Sequence, residues 1–338
     1  VCQGSGPDTT LPSQENFKQS KIVTKFDYSK FIKIDFFRNQ VPIMNNIIMY
    51  ILTVLIWGTT WYAIKLQVGY APPEISILYR AILAALCLTI WCKIKGLSLR
   101  FSPRDHLFLC MLGMSLFSLH YLFGYHATRY IVSGVVAVVF SATSFLSILY
   151  NFIFFGIKPT RNIVLGALIG ITGLCIFFWH ELKQINLQDS TLTGLLLASI
   201  AAAIFSLGGS ISKRNSQQGL PIIPAMTVGM LYAIIIILIY TFSQPQQHLV
   251  FPKSPIYWGS LAYLVIPGSM IAFLCYLQLV NNIGPELAGY TTVLSPIVAL
   301  LVSASLEGYT WSIVDLLGLL LVILGNILVL SKRSLLKY

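Results

Sequence analysis

The chain has 338 residues, of which 56% are hydrophobic and 10% charged, whereas a soluble domain carries about 25% charged residues. So little polar surface excludes an ordinary water-soluble globule and makes the bilayer the solvent. A net charge of +11 would suit nucleic acid, but the basic residues stand in short groups between apolar runs and form no aromatic-interleaved patch, which excludes that partner and fits membrane topology.

Taken in chain order, residues 1–43 are polar, mixed in charge and without periodicity. They read as a disordered extension or an upstream artefact of gene calling, with Met44 opening the first apolar run. A helix needs about 20 apolar residues to cross the hydrocarbon core. Such runs predict ten spans, at 45–66, 74–93, 106–127, 131–155, 162–180, 192–212, 221–243, 256–280, 286–306 and 311–331. Prolines punctuate them at Pro72, Pro73, Pro103, Pro159, Pro221, Pro224, Pro252, Pro255 and Pro285, while only Thr128 and Arg129 divide the third span from the fourth. The cysteines (Cys2, Cys87, Cys92, Cys110, Cys175, Cys275) show no metal spacing and read as packing residues.

Lysine and arginine orient the spans. With the N-terminus inside, 17 fall in cytoplasmic segments and only Arg129, Lys183 and Lys253 fall outside. Both termini are therefore expected in the cytoplasm. The two halves also share spacing: Lys65 precedes Pro73 by eight residues, and Lys213 precedes Pro221 by eight. Gly166 and Gly173 are seven apart, as are Gly318 and Gly325. The fold expected is all-α and integral to the membrane, ten transmembrane helices in two inverted five-helix repeats at 44–182 and 192–338. Five spans per half force the second copy to be inverted, an architecture frequent in secondary transporters.

Several stretches carry a family resemblance: Trp57-Gly58-Thr59-Thr60-Trp61 leading to Lys65, Pro72-Pro73 before Arg80, Ser133-Gly134, Pro267-Gly268, Gly284-Pro285 and Ser295-Pro296. In order and spacing the chain from Met44 onward resembles the EamA-like ten-helix branch of the drug/metabolite transporter superfamily. One departure stands out. The family often has a Gly-Glu pair after the fourth helix, but here Gly156 is followed by Ile157; Glu307 is the second-half counterpart by rough position. The resemblance implies a basket of helices around a central cavity, and export or exchange of amino acids or related metabolites by alternating access, without ATP.

Ionisable groups inside a membrane cost about 2.5–3.5 kcal/mol each on insertion scales and call for a reason. Lys65 and Arg80 have two readings: both snorkel outward, pairing with Glu74, or one receives a substrate carboxylate or phosphate. His120 is the histidine well inside a span, either a proton relay or a hydrogen-bonded packing group. Trp57 and Trp61 supply aromatic faces, and Tyr121, Tyr125, Ser141, Thr143, Tyr276, Gln278, Tyr290 and Ser295 supply polar atoms at similar depths. Singly these are helix–helix glue as often as ligand contacts; together they are the candidate cavity lining.

No Asp or Glu falls at the midplane, so facilitated transport, exchange or His120-dependent coupling is expected over carboxylate-linked antiport. His106, His120, His126, His180 and His248 are scattered, and no GxxxxGKS/T loop occurs. Neither an enzyme nor an ATP-driven pump is indicated, and no metal or cofactor is expected. The partners expected are a small-molecule solute and the lipids of a cytoplasmic (inner) membrane. A lipid-linked substrate flippase is the second reading, and a membrane-embedded enzyme the third.

Overall fold

The computed structural model describes residues 1, 28–177, 179, 190–243, 249–308 and 310–330, and among them every regular element is helical. The chain divides into Val1–Asn45 and Asn46–Tyr338. Most of the expected polar extension, residues 2–27, lies outside the described residues, and the backbone is helical from Tyr28. Apart from the part of α1 before Asn46, the elements and contacts that follow belong to the unit Asn46–Tyr338.

The first helix, α1, covers Tyr28–Lys65, and its apolar stretch is Asn45–Lys65. Next come α2 (Pro73–Ile94), α3 (Pro103–Ala127), α4 (Ser133–Phe155), α5 (Arg161–Phe177), α6 (Ser190–Gln217), α7 (Ile222–Ser243), α8 (Pro255–Pro285), α9 (Thr291–Leu306) and α10 (Ile313–Leu330). Local chemistry sets the ends. Pro73 and Pro103 occupy first-turn positions where a missing N–H costs nothing. Ser102 caps α3 by accepting the Asp105 N–H at 3.2 Å, and Gly156 ends α4 in the left-handed region at φ 65°.

Among the described residues, seven helices are long and apolar enough to cross a bilayer: α1–α4 and α6–α8. The other three, α5, α9 and the Ile313–Gly325 part of α10, are apolar but shorter. Gly284, at φ 85° and ψ 159°, breaks the helix ahead of Pro285; one short helical turn follows to Ala288, and Gly289 and Tyr290 form a turn before α9 begins at Thr291. Residues 178 and 180–189, after α5, lie outside the described residues.

The polarity pattern is that of a protein in lipid. Leu86, Ile90, Leu168, Ile235, Ile239 and Leu320 are exposed, while Arg80, His120, Thr143, Ser206 and Thr292 are buried. Two long helices carry a π-helical stretch at matching depth. In α3 it is Gly113–Leu119, ten residues after Pro103; in α8 it is Leu264–Ile271, nine after Pro255. In α8, Pro267 lies inside the stretch and removes an N–H from the ladder. Packing exchanges partners in the same sense, with α2 against the π stretch of α8 and α7 against that of α3.

Helices α5 and α10 run antiparallel at very short range, which their glycines make possible. A Cβ on Gly173 would stand 2.7 Å from the Gly318 carbonyl oxygen, and one on Gly325 would stand 2.5 Å from that of Gly166. The equal seven-residue intervals are thus two rows of glycine that face one another.

Candidate functional site

A cavity lies among α1, α2, α3, α4, α6, α8 and α9. Helix α1 gives it one face: Trp57, Thr60, Trp61 and Ile64 recur at helical spacing. Gly58 lets that face come close to α9, since a Cβ there would lie 2.9 Å from the Ser295 carbonyl oxygen. Arg80 comes from α2, and His120, Tyr121, Gly124 and Tyr125 from α3. Phe140, Phe205 and Phe273 come from α4, α6 and α8, and Thr292 and Ser295 from α9.

The rings brace one another. Trp57 packs at centroid distances of 5.5 Å from Phe205, 5.2 Å from Phe273 and 5.0 Å from Tyr276. Trp61 meets Phe140 at 4.7 Å. These separations are those of edge-to-face and tilted pairs, which fix ring orientation as well as bury area.

Arg80 is only 2% exposed. Its Nε donates to Ser269 Oγ at 2.6 Å, and Nη2 donates to the Tyr121 hydroxyl at 2.7 Å. The guanidinium carbon lies 4.0 Å from the Tyr121 ring centroid, and the Tyr125 hydroxyl also faces the group. Nη1 makes no hydrogen bond among the described residues. Ser269 reaches Arg80 from the π stretch of α8, and Gly268 leaves the space: a Cβ there would stand 3.3 Å from Nη2.

His120 follows the π stretch of α3, and its Nδ1 meets the Ser115 carbonyl oxygen at 2.9 Å. A carbonyl only accepts, so Nδ1 carries the hydrogen and donates. The widened helix makes this contact, five residues back along the chain, possible. π stretches of this kind are frequent at functional sites.

Of the sequence-based candidates, Trp57, Trp61, Arg80, His120, Tyr121, Tyr125 and Ser295 come together here. Lys65 does not: its Nζ donates to the Thr128 carbonyl oxygen at 2.8 Å. Ser141 donates to the Val138 carbonyl oxygen at 2.6 Å. Thr143 bonds Oγ1 of the lining residue Thr292 at 2.5 Å, Tyr276 packs against Trp57, and Gln278 donates to Asn282 at 2.7 Å. Tyr290 is buried in a small cluster with Ile163, Val293 and Val322. The pairing of Lys65 or Arg80 with Glu74 is replaced by another: Glu74 Oε1 lies 2.9 Å from His126 Nε2.

Sequence reading missed Thr60, Ile64, Gly124, Phe140, Phe205, Phe273 and Thr292. The helical face shared with Trp57 and Trp61 would have found Thr60 and Ile64. Among the described residues, no group of three His, Cys, Asp or Glu is placed to hold a metal.

The profile of the EamA-like transporter family matches residues 44–179 and again 192–331. The chain is 26% identical over 297 residues to the uncharacterized inner membrane transporter YedA of Escherichia coli, covering 87% of this chain and 92% of that one. It is 23% identical over 289 residues to the protein PagO of Salmonella typhimurium, covering 85% and 93%. A protein crystal structure superposes with a TM-score of 0.63 at 17% identity, covering 86% of this chain and 99% of its own, a likeness of fold.

Proposed function

We propose, from the premise that this chain belongs to the EamA-like transporter family and is a multi-pass membrane protein, that it carries a small organic solute through the aromatic cavity by alternating access. The observation that carries this reading is the lining itself. Side chains from both family-matching stretches, Trp57 to Phe140 and Phe205 to Ser295, converge on one buried space with a few polar atoms among many rings. Rocking one half against the other would expose that space to each side in turn.

The reading includes ten spans in two inverted halves, at about 44–182 and 192–338. It is supported by the twofold family match, the π stretches at matching depth in α3 and α8, and the facing glycine rows of α5 and α10. It also has both termini in the cytoplasm, on the distribution of lysine and arginine. Movement of the solute needs no chemical step, and we read the chain as a carrier, not an enzyme.

Counterflow in proteoliposomes loaded with amino acids, organic acids, nucleobases or cationic drugs tests the function. The expected outcome is transient accumulation of one labelled class, lost in a Trp57→Ala protein. No exchange from any class, with sound incorporation, would remove the transport reading.

A further inference from the structure

We infer that the cavity selects organic anions, and that its substrate class is a carboxylic acid on a single aromatic ring without a compensating ammonium group; this rests on the transport reading above. Arg80 is a buried cation whose contacts are all neutral: the hydroxyls of Ser269, Tyr121 and Tyr125, and the Tyr121 ring. Among the described residues, no carboxylate lies within 4.0 Å of it. Glu74 is on the same helix but six residues away, about 9 Å along the axis, and it is engaged by His126.

Burying a charge without a counter-charge is costly, and a charge kept that way inside a membrane protein marks a site. Arg80 Nη1, with no hydrogen-bond partner among the described residues, and its neighbour Nη2 form one edge of the planar fork. Such an edge binds a carboxylate in two places.

The rest of the lining decides what else the substrate bears. No Asp or Glu is among the described residues around the cavity. An ammonium group would find no carboxylate and would sit beside the Arg80 charge. A ring face is the other receptor for a cation, but Arg80 itself lies over the Tyr121 ring. Zwitterionic amino acids, the class the family resemblance suggests, are therefore disfavoured here, and organic cations more so. Trp57, Trp61, Phe140, Phe205 and Phe273 suit an aromatic body, whose ring would stack or meet their edges.

The test uses three probes with the same ring and side-chain length that differ in charge: phenylpyruvate, phenylalanine and phenethylamine. Trp57 and Trp61 report binding by fluorescence quenching in the purified full chain, and counterflow in proteoliposomes reports transport. The expected result is phenylpyruvate binding at least tenfold tighter than phenylalanine, with no response to phenethylamine. Arg80→Gln should lose at least tenfold in phenylpyruvate affinity, and Arg80→Lys should recover part of it. The charge series on the unaltered protein stands by itself where Arg80→Gln fails to fold.

Equal or tighter binding of phenylalanine or phenethylamine would overturn the anion inference, and their exchange would leave the transport reading standing. Phenylpyruvate that binds but never exchanges would support the inference and count against transport. Silence from all three probes would overturn it, with the wider counterflow panel left to judge transport.

Discussion

Arg80 and His120 are both deep in a helix interior, yet they are held in different ways. Arg80 leans on neutral hydroxyls and, among the described residues, leaves Nη1 without a partner, whereas His120 donates its Nδ1 hydrogen to the Ser115 carbonyl in the π stretch. Imidazole is the side chain whose ordinary titration falls near neutrality, and no carboxylate lines the cavity among the described residues. We therefore predict that proton movement linked to substrate depends on His120. A pH-sensitive dye trapped in proteoliposomes should lose its substrate-dependent signal in His120→Ala; an undiminished signal would place the coupling elsewhere. Both residues were legible in the sequence because each is an ionisable group among apolar neighbours. Phe205 and Phe273 were not, since a phenylalanine in a membrane helix has no contrast with what surrounds it, and lipid-facing and cavity-facing positions carry the same apolar signal.

Contacts between helices include close approaches at small residues and, between α4 and α9, a polar knot around Glu307. In a helix, alanine is normally better than glycine by about 1 kcal/mol. That gain should appear at Gly259, where nothing lies within 4 Å of an added Cβ. At Gly325 the sign should reverse, because the added carbon would meet the Gly166 carbonyl oxygen at 2.5 Å, and overpacking costs about 1–3 kcal/mol. Thermal unfolding in detergent should thus rank Gly259→Ala above the parent and Gly325→Ala below it. The knot joins α4 to α9. Glu307 accepts from Ser133 and, at 2.5 Å, from Ser303, whose oxygen accepts the Gly134 N–H at 2.9 Å. Glu307→Ala should lower stability by about 1–3 kcal/mol, the cost of leaving buried donors unpaired. A midpoint unchanged by that substitution would mean the knot is replaced by water.

Helix limits were legible where chemistry marks them: α3 runs Pro103–Ala127 against an expected 106–127, with Ser102 and Pro103 at its start. The two π stretches were not, because an extra residue per turn leaves no trace in a run that is apolar on every face. The break at Gly284, with φ at 85°, was hinted at by the Gly284-Pro285 pair, whereas the turn at Gly289 and Tyr290 that sets the start of α9 was not.

At the scale of the molecule, the sequence carried the broadest features most clearly: composition dictated the solvent, and spacing suggested two related halves. The full lining of the cavity lies beyond that reach, because it gathers from seven helices that are far apart in the chain, and only its tryptophans and some of its polar members were named from the sequence. The orientation is open to direct measurement. In a cysteine-free background, Arg129→Cys should react with a membrane-impermeant maleimide added outside intact cells, and Arg104→Cys should react only after permeabilisation. The opposite pattern would invert the topology.

Alternating access is the central claim, and Ser295 is placed to test it, being 3% exposed and part of the cavity wall. A Ser295→Cys protein in the same background should be labelled by the impermeant maleimide in both right-side-out and inside-out vesicles, more slowly when substrate is present. Labelling confined to one orientation, or absent from both, would contradict a cavity that opens to each side in turn.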